Sequence, residues 1–106
     1  MVFWNKRKKN PSQDIIRQIA GQRLKYVTER DPATSVESVV GRRGSVSITA
    51  AGKLKVVCGM EVFSAGADNV RAAMLMSLEG AVLSGYDETA GRERTIVVYF
   101  QYYRKV

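Results

Sequence analysis

The run Thr95-Ile96-Val97-Val98-Tyr99-Phe100-Gln101-Tyr102-Tyr103 constrains the chain most, because nearly every residue in it is β-branched or aromatic and such residues suit a pleated, packed surface. Alternation puts Ile96, Val98, Phe100 and Tyr102 on one face, and Val97, Tyr99, Gln101 and Tyr103 on the other. Both faces are largely apolar, which predicts a strand inside a sheet with packing on each side. A second strand over Ala81–Asp87, joined to the first through Glu88–Glu93, completes an expected hairpin. Centring its turn on Ala90 sets Val82 opposite Val98 and Ser84 opposite Ile96. It also sets Tyr86 over Arg94, within reach for ring–guanidinium stacking.

Upstream, Asn10-Pro11-Ser12-Gln13 reads as a helix start, with an Asn cap and Pro at the first helical position. Ile15, Ile16, Ile19 and Ala20 form its apolar stripe, and Gly21 ends it in a left-handed conformation. From Gln22 the period falls to two, and Leu24, Tyr26 and Thr28 alternate with Lys25, Val27 and Glu29. Asp31-Pro32 breaks that strand. Val36–Val40 is predicted as the next strand, Gly41-Arg42-Arg43-Gly44 as a tight turn, and Ser45–Thr49 as an alternating strand. After a turn at Ala51-Gly52, Leu54, Val56 and Cys58 point inward, and Gly59-Met60 centres a hairpin returning through Val62 and Phe63. Ala72, Ala73, Met74, Leu75 and Met76 favour helix, so Asp68–Leu78 is predicted as a second, short helix. The expected fold class is α+β: mainly an antiparallel β meander or partly closed small barrel of about six to seven strands, with the N-terminal helix packed on it.

At 106 residues the chain is one domain with a single core. Residues 1–10 read as a basic tail and 11–106 as the globular α+β domain. The tail holds Lys6, Arg7, Lys8 and Lys9, more than half of the +7 net charge. There is no histidine and one cysteine, which removes Ser-His and Cys-His catalysis, any internal disulfide, and any zinc site that one chain could build from His and Cys. Carboxylate pairs such as Asp87-Glu88 or Glu29 with Asp31 fall at expected turns, where acids are solvated. The expectation is therefore no catalytic residue, no metal and no cofactor. Cys58, in step with Leu54 and Val56, is expected to be an inert buried thiol. No stretch approaches the ~20 apolar residues of a membrane span, and a cytoplasmic location is expected.

Val39-Val40-Gly41-Arg42-Arg43-Gly44 resembles the backbone clamp of KH-type RNA-binding domains. The resemblance implies glycines that admit the main chain to phosphates and basic residues that neutralise them. It covers six residues and departs from the KH pattern afterwards, since Ser45–Thr49 alternates like a strand where a KH domain has a helix. The tyrosines Tyr86, Tyr99 and Tyr103, with Arg94 near them, suggest a base-stacking platform. The functional expectation is a small basic binding module without catalysis. Its nucleic-acid contacts would be Lys6, Arg7, Lys8, Lys9, Arg42, Arg43, Tyr86, Arg94, Tyr99 and Tyr103. The competing expectation is a protein-interaction module that pairs with itself as a homo-oligomer through the apolar second face of the last strand.

Overall fold

The computed structural model describes residues 11–101. Helix α1 (Pro11–Ile19) is followed by strands β1 (Arg23–Arg30), β2 (Glu37–Ile48), β3 (Lys53–Cys58), β4 (Met60–Gly66), β5 (Arg71–Met74), β6 (Gly80–Asp87) and β7 (Arg92–Phe100). All seven strands join one antiparallel sheet in the order β4-β3-β2-β1-β7-β6-β5. It consists of two meanders, β1 to β4 and β5 to β7, and β7 turns back to pair with β1.

That order forces the sheet to curl. Strands β4 and β5 lie at opposite edges, yet only a 3-10 turn, Ala67–Asn69, and Val70 separate them. A flat seven-stranded sheet holds its edges roughly 29 Å apart at about 4.8 Å per strand, whereas five residues reach at most about 18 Å. The result is the partly closed barrel expected of an α+β chain. Its interior is filled by Leu24, Val27, Val46, Leu54, Val56, Phe63, Leu83, Ile96, Val98 and Phe100, with Ile16 and Ile19 of α1 closing one side.

Both edges are sealed by side chains. On β5, the Ser12 hydroxyl accepts from Ala72 N at 3.0 Å, and Gln13 Nε2 donates to Ala67 O at 2.8 Å in the adjoining turn. On β4, Ser64 N donates to Asp87 Oδ1 at 3.0 Å and Arg94 Nη1 donates to Val62 O at 2.8 Å. Glu88 N adds a 2.7 Å bond to Ser64 O. Main-chain groups left open at a strand edge invite foreign strands, and these bonds occupy some of them.

Helix α1 ends as expected, with Gly21 at φ 89; Asn10, the expected cap, lies outside the described residues. Three local expectations are corrected. The β6–β7 hairpin sets Val82 opposite Val97, Ser84 opposite Thr95 and Tyr86 opposite Glu93, one residue from the register expected. The turn spans Glu88–Gly91 because Gly91 takes the left-handed conformation, φ 73, and Asp87 Oδ1 accepts from Thr89 N at 2.9 Å. Tyr86 accordingly does not lie over Arg94.

Gly41–Gly44 is no turn but the middle of the twelve-residue strand β2. Likewise, Asp68–Leu78 is no helix. After the 3-10 turn, Arg71–Met74 pairs with β6 as β5, because an edge of the sheet and the flank of α1 were both there to be covered. Tertiary pairing outweighs the helical preference of alanine and methionine over so short a run.

Candidate functional site

The spacing of two glycines shapes the candidate site. A Cβ on Gly41 would meet Cys58 Sγ at 2.9 Å, and one on Gly44 would meet the same sulfur at 2.5 Å. Both positions therefore face the core although three residues apart, which simple alternation forbids. On β1, Leu24 opposes Gly44 and Val27 opposes Gly41, and both are buried. The two strands stay in register from Leu24–Gly44 to Val27–Gly41, and the bulges flank that stretch: β1 carries an extra residue against β7 between Leu24 and Tyr26, and β2 carries one against β1 just past Gly41. Within the stretch Arg43 takes φ 55. This stretch lets the β3–β4 hairpin lie against bare backbone on the inside and turns Lys25, Tyr26, Arg42 and Arg43 outward together.

The outer face around the bulges is cationic. Arg23, Lys25, Arg42 and Arg43 are all exposed, and none makes an ion pair among the described residues. Among the described residues the one further unpaired cation, Arg71, lies on the distant edge strand β5. Register places Arg23 beside Ser45 and Ser45 beside Val57, and Arg42 beside Tyr26 and Tyr26 beside Tyr99. Arg23, Lys25, Arg43, Ser45 and Ser47, with Gln101, border an open depression of about 940 Å³ whose lining contains no carboxylate.

Tyrosines flank this surface. The rings of Tyr26 and Tyr99 lie 4.6 Å apart at an interplanar angle of 32°. Tyr99 donates its hydroxyl to Glu37 Oε1 at 2.9 Å. The same carboxylate receives Thr28 Oγ1 at 2.7 Å and Arg30 Nη2 at 2.8 Å. Burial, followed by the bond to Glu37, pushes Tyr99 up to about 12. The Arg30 hydrogen bond chiefly holds Glu37 below the usual carboxylate range, against the opposing effect of burial. The ring pair is therefore fixed from one end.

The expected site residues divide. Arg42, Arg43 and Tyr99 come together on this face. Tyr86 is also on the outer side and exposed, but it neighbours Glu93 three rows from Tyr99, some 20 Å along the strand at about 3.3 Å per residue. Arg94 points inward, where Nη1 meets Asp87 Oδ2 at 2.6 Å and Nη2 meets Glu29 Oε1 at 2.9 Å. Its place in the β4 seam is structural. Lys6, Arg7, Lys8, Lys9 and Tyr103 lie outside the described residues. Arg23, Lys25 and Tyr26 escaped the sequence reading, since nothing in simple alternation reveals a bulge.

The expected second layer over the last strand also takes another form. Helix α1 joins Val98 and Phe100 in the core, on the opposite side from Val97. Val97 is nonetheless wholly buried, with Thr28 and Val82 as its cross-strand neighbours. Cys58 is half-buried, and burial pushes its thiol up, which disfavours the reactive thiolate. No helix among the described residues is long and apolar enough to cross a membrane. No family model, curated protein or solved structure matches the chain, so geometry alone supplies the reading.

Proposed function

We propose that the protein is a cytoplasmic, non-catalytic module that binds nucleic acid through the outer face of β1 and β2, aided by the basic residues Lys6–Lys9. One observation carries the reading: four cations without carboxylate partners gather at one bulged stretch, while every other cation of the main sheet's centre is paired. Like charges held together cost free energy unless a polyanion joins them. Two serine hydroxyls and a tyrosine pair beside them match the groups that contact phosphate, sugar and base.

The test is the salt dependence of binding by the full chain. For a labelled single strand, each phosphate contact adds about 0.7 to the slope of log affinity against log salt. The double variant R23Q/R43Q should flatten the slope by about 1.4 by the same relation. An unchanged slope would assign all binding to residues 1–10 and remove the face from the site.

A separate observation favours self-association. Residues 37 to 44 of β2 have a ladder partner on one side only, and Val36, Val39 and Val40 are 60%, 48% and 38% exposed there. An apolar strand edge of this kind pairs with a second copy. Sedimentation velocity of the parent and of V39K decides this reading: a parent dimer that the variant converts to monomer supports it, and a monomeric parent ends it.

A further inference from the structure

We infer that the ligand of this face is single-stranded, with one base held between Arg42 and Tyr26 and the neighbouring phosphates on Arg23, Lys25 and Arg43. This deepens the nucleic-acid reading above and rests on it.

The argument begins with a slot. Arg42 and Tyr26 are cross-strand neighbours, yet the only ring contact of Tyr26 among the described residues is with Tyr99. Directly opposed Cβ atoms stand about 5 Å apart. The two long side chains need to splay only to twice the ~3.4 Å rise of stacked bases to admit a ring. A planar guanidinium on one side and a phenol on the other are both stacking surfaces for a base.

The slot is also stiff on one side. Tyr26 rests on Tyr99, and Tyr99 is tied to Glu37, which Thr28 and Arg30 hold in turn. Little freedom remains to be lost when a base arrives, so binding is not taxed by ordering the platform. On the other side, Arg42 is exposed and unpaired, free to close.

Phosphates have their place next to the slot. Lys25, the extra residue of β1 against β7, and Arg43, with its positive φ, are adjacent in sequence to Tyr26 and Arg42. Arg23 lies just beyond, beside Ser45. The depression they border, about 940 Å³ and lined partly by Gly21, Gly44 and Gly59, is open and offers room for a phosphate backbone. A duplex keeps its bases stacked and offers Tyr26 no ring face, whereas a single strand presents free bases to stack. That selects a single strand.

The test measures fluorescence anisotropy of the full chain against a single-stranded oligonucleotide, its duplex, and inorganic polyphosphate as competitor. The parent should prefer the single strand. Y26L should weaken single-strand binding about tenfold while leaving polyphosphate within about twofold, since stacking requires a base. R42K keeps the charge and loses the plane, and it should weaken single-strand binding several-fold with polyphosphate unchanged. Because Arg42 is exposed, R42K decides the matter if Y26L fails to fold. A duplex bound as tightly as the single strand, or variants that weaken all three ligands alike, would overturn the inference and leave the nucleic-acid reading standing. Failure to bind any of the three would overturn that reading as well.

Discussion

The two ends of β1 treat arginine in opposite ways. At the end near Glu29, Arg92 and Arg94 both meet that carboxylate, and Arg94 also meets the wholly buried Asp87. At the other end, Arg23, Lys25 and the facing Arg42 and Arg43 meet no carboxylate among the described residues. The first arrangement spends charge on architecture: Asp87 and Arg94 occupy main-chain groups of β4 and close the seam of the barrel. The second leaves charge uncompensated in water. With seven more basic than acidic residues, some cations must go unpaired; it is their gathering on one face, not their being unpaired, that the proposed binding surface rests on.

Several substitutions can break or sharpen this contrast. The largest effect is expected from R94A, which strands Asp87 as a buried charge and opens the β4 seam; urea unfolding should show a loss of about 3–5 kcal/mol. A loss below about 1 kcal/mol would mean that the seam is not what holds β4.

G44A comes next. Its new Cβ would sit 2.1 Å from Val57 O, a main-chain atom, whereas that of G41A would meet first the Cβ of Cys58 at 2.7 Å. Overpacking of this kind costs about 1–3 kcal/mol, and G44A should be the worse of the two in thermal unfolding. Equal, small effects would deny that the hairpin rests on the glycines.

Acid should act on the paired end. Burial opposes the charge on Glu29, but hydrogen bonds from Arg94 and then Arg92 outweigh it and hold the carboxyl below its usual range. A depressed folded-state pKa contributes stability above the unfolded value, and that contribution is lost as pH falls through the folded value. Stability should therefore decline below the ordinary carboxylate range, about pH 4.3, and E29Q should flatten the decline. R23Q/R43Q should leave its steepness unchanged.

The smallest effect is expected at the unpaired end. Single exposed substitutions, R23Q or K25Q, should change stability by no more than about 0.5 kcal/mol, with the larger change in binding. A substantial loss of stability would make these cations structural and erase the contrast.

How legible this was in the sequence depends on which signal each part uses. The final hairpin, the N-terminal helix and the Leu54–Cys58 strand follow from hydrophobic period and from glycines that must take positive φ, both local properties. Strand β5 was hidden because Ala72, Ala73 and Met74 carry a helical preference that only the waiting edge of β6 overrides. The glycine pair at 41 and 44 was visible, but its meaning was not. Its spacing looked like a phosphate clamp, and the structure shows it to be the imprint of Cys58 on a bulged strand. The sequence marks Arg42 and Arg43 as basic residues of a turn that the structure makes a strand, while Arg23, Lys25 and Tyr26 join them only through pairing across β1 and β2. Arg94, adjacent to a tyrosine-rich strand in sequence, could not be told from a surface arginine without knowing that β4 comes round to meet it.

The β1–β7 junction has a kinetic consequence. Each meander can zip up through neighbouring strands, but the barrel exists only once β1 meets β7, and contacts there, such as Glu29 with Arg94, span 65 positions. Closing so long a loop costs entropy before any burial repays it, which slows folding. If that meeting is the rate-limiting event, truncating Val27 or Val98 on the junction should slow refolding, whereas truncating Leu54 on β3 should mainly hasten unfolding. The two halves of the chain would then be built early and locally, and the barrel would be decided by a single late encounter.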